Sequence, residues 1–156
     1  MLWRGRSEMR RLIYTVQMRG RTSGTPQSMR TTGSAASCAL KTAISPSGVE
    51  SELELSAGGF AFFESELQRT GPTQYLESGE ITFGEPASHA LRFSTASPGH
   101  FADGFEPHTI AGTASWRVES GTGQFAGARG FITSNFTLTS RGDRCDFLCG
   151  VLFLPD

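Results

Sequence analysis

The chain is poor in lysine, asparagine and cysteine. Thirteen arginines stand against the single lysine Lys41, and Asn135 is the only asparagine, a bias that points to a GC-rich coding genome of bacterial type. The three cysteines, Cys38, Cys145 and Cys149, are too few for a disulfide framework. Cys145 and Cys149 would lie about 13 Å apart along an extended strand, beyond disulfide reach. No second Cys or His pair accompanies them, so a structural zinc site is not expected. No apolar run approaches the roughly 18 residues of a membrane helix, and no secretory signal pattern opens the chain. A Gly-x-Ser-x-Gly elbow, a phosphate-cradling loop, a dinucleotide fingerprint and a zincin motif are all missing. Those gaps disfavour hydrolase, kinase and nicotinamide-dependent chemistry.

What is present favours strands. Among 156 residues there are 19 Gly, 7 Pro and 12 Phe, with Ser and Thr throughout. Phe and Thr suit a pleated, half-buried surface, and Gly and Pro punctuate it. One domain is the natural reading at this length. Charge is uneven: residues 1–30 carry a balance of +6 and the remainder −7. The basic start has few aromatics and no nucleic-acid motif, so it reads as a flexible, solvated leader over residues 1–10, with Met9 a candidate start. A single β domain is expected over 11–156.

Leu12–Met18 is the first strong strand pattern, and the Gly, Ser, Thr and Pro of residues 20–34 read as a long loop. Ala39–Ile44 reads as a weak second strand. Val49–Ser56 alternates Glu50, Glu52 and Glu54 with Val49, Ser51, Leu53 and Leu55, the pattern of a half-buried strand. Further strands are expected over 60–69, 73–83, 87–95, 110–119, 130–139 and 145–154. Residues 96–109, with His100, Asp103, Glu106 and His108, read as an irregular lid whose spacing matches no metal-ligand pattern. Eight or nine strands without a confident helix predict an antiparallel barrel or a sandwich.

One motif narrows this. Gly121-Thr122-Gly123-Gln124-Phe125-Ala126-Gly127-Ala128-Arg129-Gly130 resembles the GTG-x-F-x-x-A-R-G stretch of the allene oxide cyclase and dirigent superfamily. Trp116-Arg117-Val118 before it and Ile132-Thr133-Ser134-Asn135-Phe136 after it resemble the flanking strands of bacterial cyclase-like barrels. The resemblance spans about half the chain, from Glu80 onward, and the first half matches in rhythm alone. It implies an eight-stranded antiparallel barrel, often a homo-dimer or homo-trimer, with a mostly apolar cavity. Within the motif only Arg129 carries over chemically. Gln124 stands where plant dirigent proteins often have an acid.

Such barrels act by confinement, holding a near-attack conformer while a few polar groups meet developing charge. Glu64 and Glu66 are candidate acids or bases, because a carboxylate in an apolar barrel has a raised pKa. They share a face with Phe60 and Phe62. The opposite face, Ala61, Phe63 and Leu67, would fill a core equally well and leave both glutamates in water. His89 lies in line with Leu91 and Phe93, either as an acid–base group or held by a hydrogen bond at the barrel end. Arg129 would touch substrate or pin a glycine turn. Asn135 enters the cavity if Ile132, Phe136 and Leu138 point outward. Tyr75, Phe62 and Phe93 complete the candidate lining. The expected ligand is a hydrophobic, oxygenated small molecule, with cyclisation or isomerisation the candidate chemistry and no cofactor, metal, nucleic acid or membrane insertion. A cytoplasmic location follows from the missing signal. The rival readings are a lipocalin-like carrier with no ionisable interior group, and a structural or oligomerisation module with a filled interior.

Overall fold

The computed structural model describes residues 8–84 and 88–156. Nine strands run in chain order: β1 (Met9–Gly24), β2 (Ser28–Ser45), β3 (Gly48–Arg69), β4 (Gln74–Phe83), β5 (His89–Thr95), β6 (Gly99–Asp103), β7 (Thr109–Thr122), β8 (Arg129–Thr139) and β9 (Asp143–Pro155). A single 3-10 turn, Gly123–Phe125, interrupts them. Every strand pairing is antiparallel. The order β3-β2-β1-β9-β8-β7-β5-β4 is closed by pairing of β3 with β4. β5 and β6 both lie between β4 and β7, so together they form one interrupted strand. The result is an all-β ring of eight strands. Among the described residues no helix is long and apolar enough to cross a membrane.

Period two decides what fills the ring. From β3, Ala61, Phe63, Ser65 and Leu67 point in; from β8, Ile132, Ser134, Phe136 and Leu138; from β9, Arg144, Asp146, Leu148, Leu152 and Leu154. One cluster centres on Trp116, stacked on Phe93 at 4.0 Å and on Phe63 at 5.7 Å between ring centroids. Each such aromatic contact adds about 0.5–1.5 kcal/mol beyond area burial. A second cluster, Leu67, Tyr75, Phe101, Phe136 and Leu138, fills the end nearest the β1–β2, β3–β4 and β8–β9 turns.

Three expectations need correction. Residues 20–34 are not a loop: β1 and β2 pair from Arg19↔Ser34 to Gly24↔Met29. Gly20 faces Gly33, and a Cβ on Gly20 would stand 2.2 Å from the Thr32 carbonyl oxygen, so these glycines serve close strand approach rather than disorder. The segment 96–109 is not a free lid either, since β6 pairs with β4 and β7. Finally, Val49–Ser56 alternates as expected but is not half-buried. It pairs with Ser37–Ile44 alone and forms an exposed two-stranded arm beyond the ring. Of the expected leader, residues 1–7 lie outside the described residues, while Met9 and Arg10 already pair with β9.

Candidate functional site

The ring interior holds a charged cluster. Arg144 enters from the start of β9, Asp146 follows it on the same face, and Glu77 enters from β4. Their side chains are 3%, 1% and 0% exposed. Arg144 Nη1 donates to Glu77 Oε1 at 2.8 Å and to Thr31 Oγ1 at 3.3 Å. Its Nη2 donates to Asp146 Oδ2 at 2.7 Å and to Glu77 Oε2 at 3.3 Å. Ser65 Oγ donates to Glu77 Oε1 at 2.7 Å, and Ser134 Oγ reaches both Asp146 oxygens at 2.9 Å. The guanidinium carbon stands 4.1 Å from the Phe136 ring centroid and 5.4 Å from that of Phe63.

Two carboxylates share one cation here. Burial pushes the Asp146 carboxyl above its ordinary range, repulsion from Glu77 adds to this, and Arg144 and Ser134 oppose it. Burial disfavours the Arg144 charge, yet Glu77 and Asp146 outweigh it and hold the guanidinium charged. The Tyr75 hydroxyl is raised by burial and then by Glu77. The Tyr75 hydroxyl and the Arg144 Nε–H are buried without a hydrogen-bond partner among the described residues. Leaving such a group unsatisfied costs about 1–3 kcal/mol.

A pocket lies at one barrel end, separated from the cluster by packed side chains. It measures about 350 Å³ and is lined by Thr25, Met29, Arg69, Ile110, Leu138 and Arg141, among others. Met29, Ile110 and Leu138 pack with Tyr75, Phe101 and Phe136, and Phe136 covers Arg144. The void beside Arg144, bounded by Met18, Thr31, Phe63 and Asp146, has no room for a water-sized sphere.

The residues expected to form a site are not assembled into one. Glu64, Glu66 and Phe62 face outward on β3 because Ala61, Phe63, Ser65 and Leu67 take the interior. Arg30 binds Glu64 there, beside an outer groove of about 490 Å³ that also touches Glu66, Glu80 and Arg92. Asn135 also faces outward, because Ile132, Ser134 and Phe136 are the inward residues of β8; it accepts from Thr113 Oγ1 at 3.2 Å. His89 sits at the opposite barrel end, where Nδ1 accepts the Gln124 amide at 2.9 Å and so fastens the glycine-rich turn. Arg129 is exposed beside another outer groove, with Arg117 and Phe131. Only Tyr75 and Phe93 lie inside, and of these Tyr75 adjoins the charged cluster.

Glu77, Arg144 and Asp146 went unnoticed in the sequence. The first was within reach, since Tyr75, Glu77 and Ile81 share one face of β4. Arg144 and Asp146 share the Leu148, Leu152 and Leu154 face of β9, but the opposite face carries Phe147, Val151 and Phe153. Apolarity alone does not choose between them.

The fold has a solved counterpart. The pterocarpan synthase dirigent protein GePTS1 superposes with a TM-score of 0.57 at 13% identity, covering 99% of this chain and 94% of that one. The ring is thus a dirigent-like barrel. No family model matches the sequence, and no curated protein matches it.

Proposed function

We propose that this barrel binds an oxygen-bearing apolar small molecule at its end and presents that oxygen to Arg144, Glu77 and Asp146. The observation that carries the reading is the fully buried charged cluster. Desolvating three charges costs several kcal/mol each, and apolar residues of similar volume would fold the barrel as well or better. A buried acid with a raised pKa, here Asp146, close to an unpartnered buried hydroxyl, here Tyr75, marks a candidate site. In this reading the Tyr75 hydroxyl and Arg144 Nε–H receive the ligand oxygen, while Phe101, Phe136 and Leu138 grip its apolar part. The Asp146 carboxyl, whose proton affinity burial raises, exchanges a proton with that oxygen as charge develops on it, and the barrel wall fixes the conformer that closes or rearranges. The likeness to a protein described as a pterocarpan synthase supports chemistry directed by shape. The ligand must displace or turn Phe136 and Tyr75 to reach the cluster.

A second reading has its own observation. The void beside Arg144 admits no water, as expected of a structural barrel whose filled interior only supports its outer surface. One experiment separates the two. The purified protein is screened by calorimetry against phenols and oxygenated fatty acids, and against solvent extracts of the expression host. Binding in the micromolar range that weakens tenfold or more in both Glu77→Gln and Tyr75→Phe supports a ligand site. Binding untouched by both substitutions, or none across the panel, leaves the structural module.

A further inference from the structure

The arm formed by Ser37–Ser45 and Gly48–Ser56 exposes an apolar face that, among the described residues, is met only at its base, where Cys38 Sγ donates to the Thr15 carbonyl oxygen at 3.2 Å. Cys38, Leu40, Thr42 and Ile44 lie opposite Leu55, Leu53, Ser51 and Val49 on that face. Ile44 is 84% exposed, Val49 69% and Leu55 60%. The other face carries Lys41, Glu50, Glu52 and Glu54, a net charge of −2. An isolated two-stranded ribbon is marginal in water without a covered face.

The ring's outer wall offers a counterpart. Across β1, β9 and β8 run the rows Arg11–Phe153–Arg129, Ile13–Val151–Phe131, Thr15–Cys149–Thr133 and Gln17–Phe147–Asn135. Arg117 stands beside Phe131 on β7. Ile13 and Phe131 are 59% and 51% exposed, and Val151 and Phe153 about 40%. Arg11, Arg117 and Arg129 border this stripe and make no ion pair among the described residues.

We infer that the arm of one copy lies on the β1–β9–β8 face of a second copy, reciprocally, in a two-fold dimer. Size supports this. Nine residue pairs at about 3.4 Å per residue and two strands about 4.8 Å apart give a face of roughly 300 Å², and the stripe is of similar extent. A single arm contact would bury about 600 Å² from both sides, within the range of nonspecific packing; two reach the ~1,200 Å² at which specific interfaces begin. Charge agrees, since an arm of net −2 approaches a stripe bordered by three arginines. The glutamates lie on the arm's far face, about 10 Å from the contact, so they steer association rather than pair within it.

The test is sedimentation equilibrium of the full chain from 1 to 100 µM, for the natural sequence, the arm variant Ile44→Lys/Val49→Lys and the wall variant Ile13→Glu/Phe131→Glu. All four side chains are exposed, and circular dichroism with thermal melting verifies that each variant folds. The expected result is a dimer whose dissociation constant rises at least 100-fold in both variants. A natural chain that stays monomeric at 100 µM overturns the inference, leaving another protein or a lipid surface to cover the arm. A dimer that survives either variant overturns the pairing of these two faces, and a trimer overturns its reciprocity.

Discussion

Replacing Arg144 by methionine removes the cation that Glu77 and Asp146 share and leaves both carboxyl groups in place. Met keeps most of the aliphatic volume against Phe63 and Phe136, so the loss is mainly electrostatic. Four hydrogen bonds disappear, to Thr31, to both oxygens of Glu77 and to Asp146. Breaking a buried pair by deleting one partner costs about 3–5 kcal/mol, because the remaining charge stays desolvated. With a urea m-value of about 2 kcal/mol per molar, that moves the midpoint down by about 2 M. Trp116, fully buried and stacked on Phe93, reports the transition by fluorescence. The decisive comparison is Arg144→Met combined with Glu77→Leu and Asp146→Leu. Replacing an entire buried ionic group with apolar side chains is often neutral or stabilising by about 1–4 kcal/mol. The triple variant is therefore expected to recover natural stability while binding none of the ligands that the natural chain binds. A single variant that loses less than about 1 kcal/mol would refute the reasoning, since the charges would then not be desolvated as described. A triple variant that stays as unstable as the single one would show the cluster to be structural.

Other outcomes follow from named contacts. Gly99→Ala and Gly112→Ala place a methyl 2.3 Å from the Tyr75 and Phe136 rings, and each should lower stability by about 1–3 kcal/mol in urea titrations. The Asp146 carboxyl is raised on folding, so the folded chain binds more protons than the unfolded one from the ordinary value of 3.8 upward. Its contribution is fullest at or below that value and is lost as pH rises through the raised pKa. Asp146→Asn should therefore flatten this part of the stability–pH curve measured by urea midpoints. Glu64→Gln and Glu66→Gln touch exposed groups and should shift the midpoint by no more than about 0.5 kcal/mol, with ligand binding unchanged. His89→Ala deletes the acceptor of the Gln124 amide and should cost about 1 kcal/mol without altering any binding at the far end.

Much of the ring was legible in the chain. The last two strands were expected over 130–139 and 145–154 and run Arg129–Thr139 and Asp143–Pro155. The turn motif around Phe125 does mark a tight crossing, with Phe125 buried and Gly123 and Gly127 at positive φ. What stayed hidden has two physical causes. Strands with apolar residues on both faces, as in β3 and β8, carry no parity signal, so the chain leaves open whether Glu64 or Ser65, and whether Asn135 or Ser134, is the inward residue. Amphipathic alternation also records that a face needs cover without recording whose. Val49–Ser56 has the same pattern whether its cover belongs to the same chain or to another.

The interrupted strand has a mechanical consequence. A closed ring resists parting because each strand is laced to two neighbours, yet here one strand is broken between Thr95 and Gly99. Its lower piece joins β4 through only two residue pairs, Gln74↔His100 and Tyr75↔Gly99. Tyr75 thus belongs both to the weakest lateral join and to the wall of the charged cluster. Loosening that short join would bare the cluster sideways while the thirteen-pair ladder between β1 and β9 stayed intact. The barrel has one thinly laced stave, and the Tyr75 hydroxyl close to the buried charges sits at its seam.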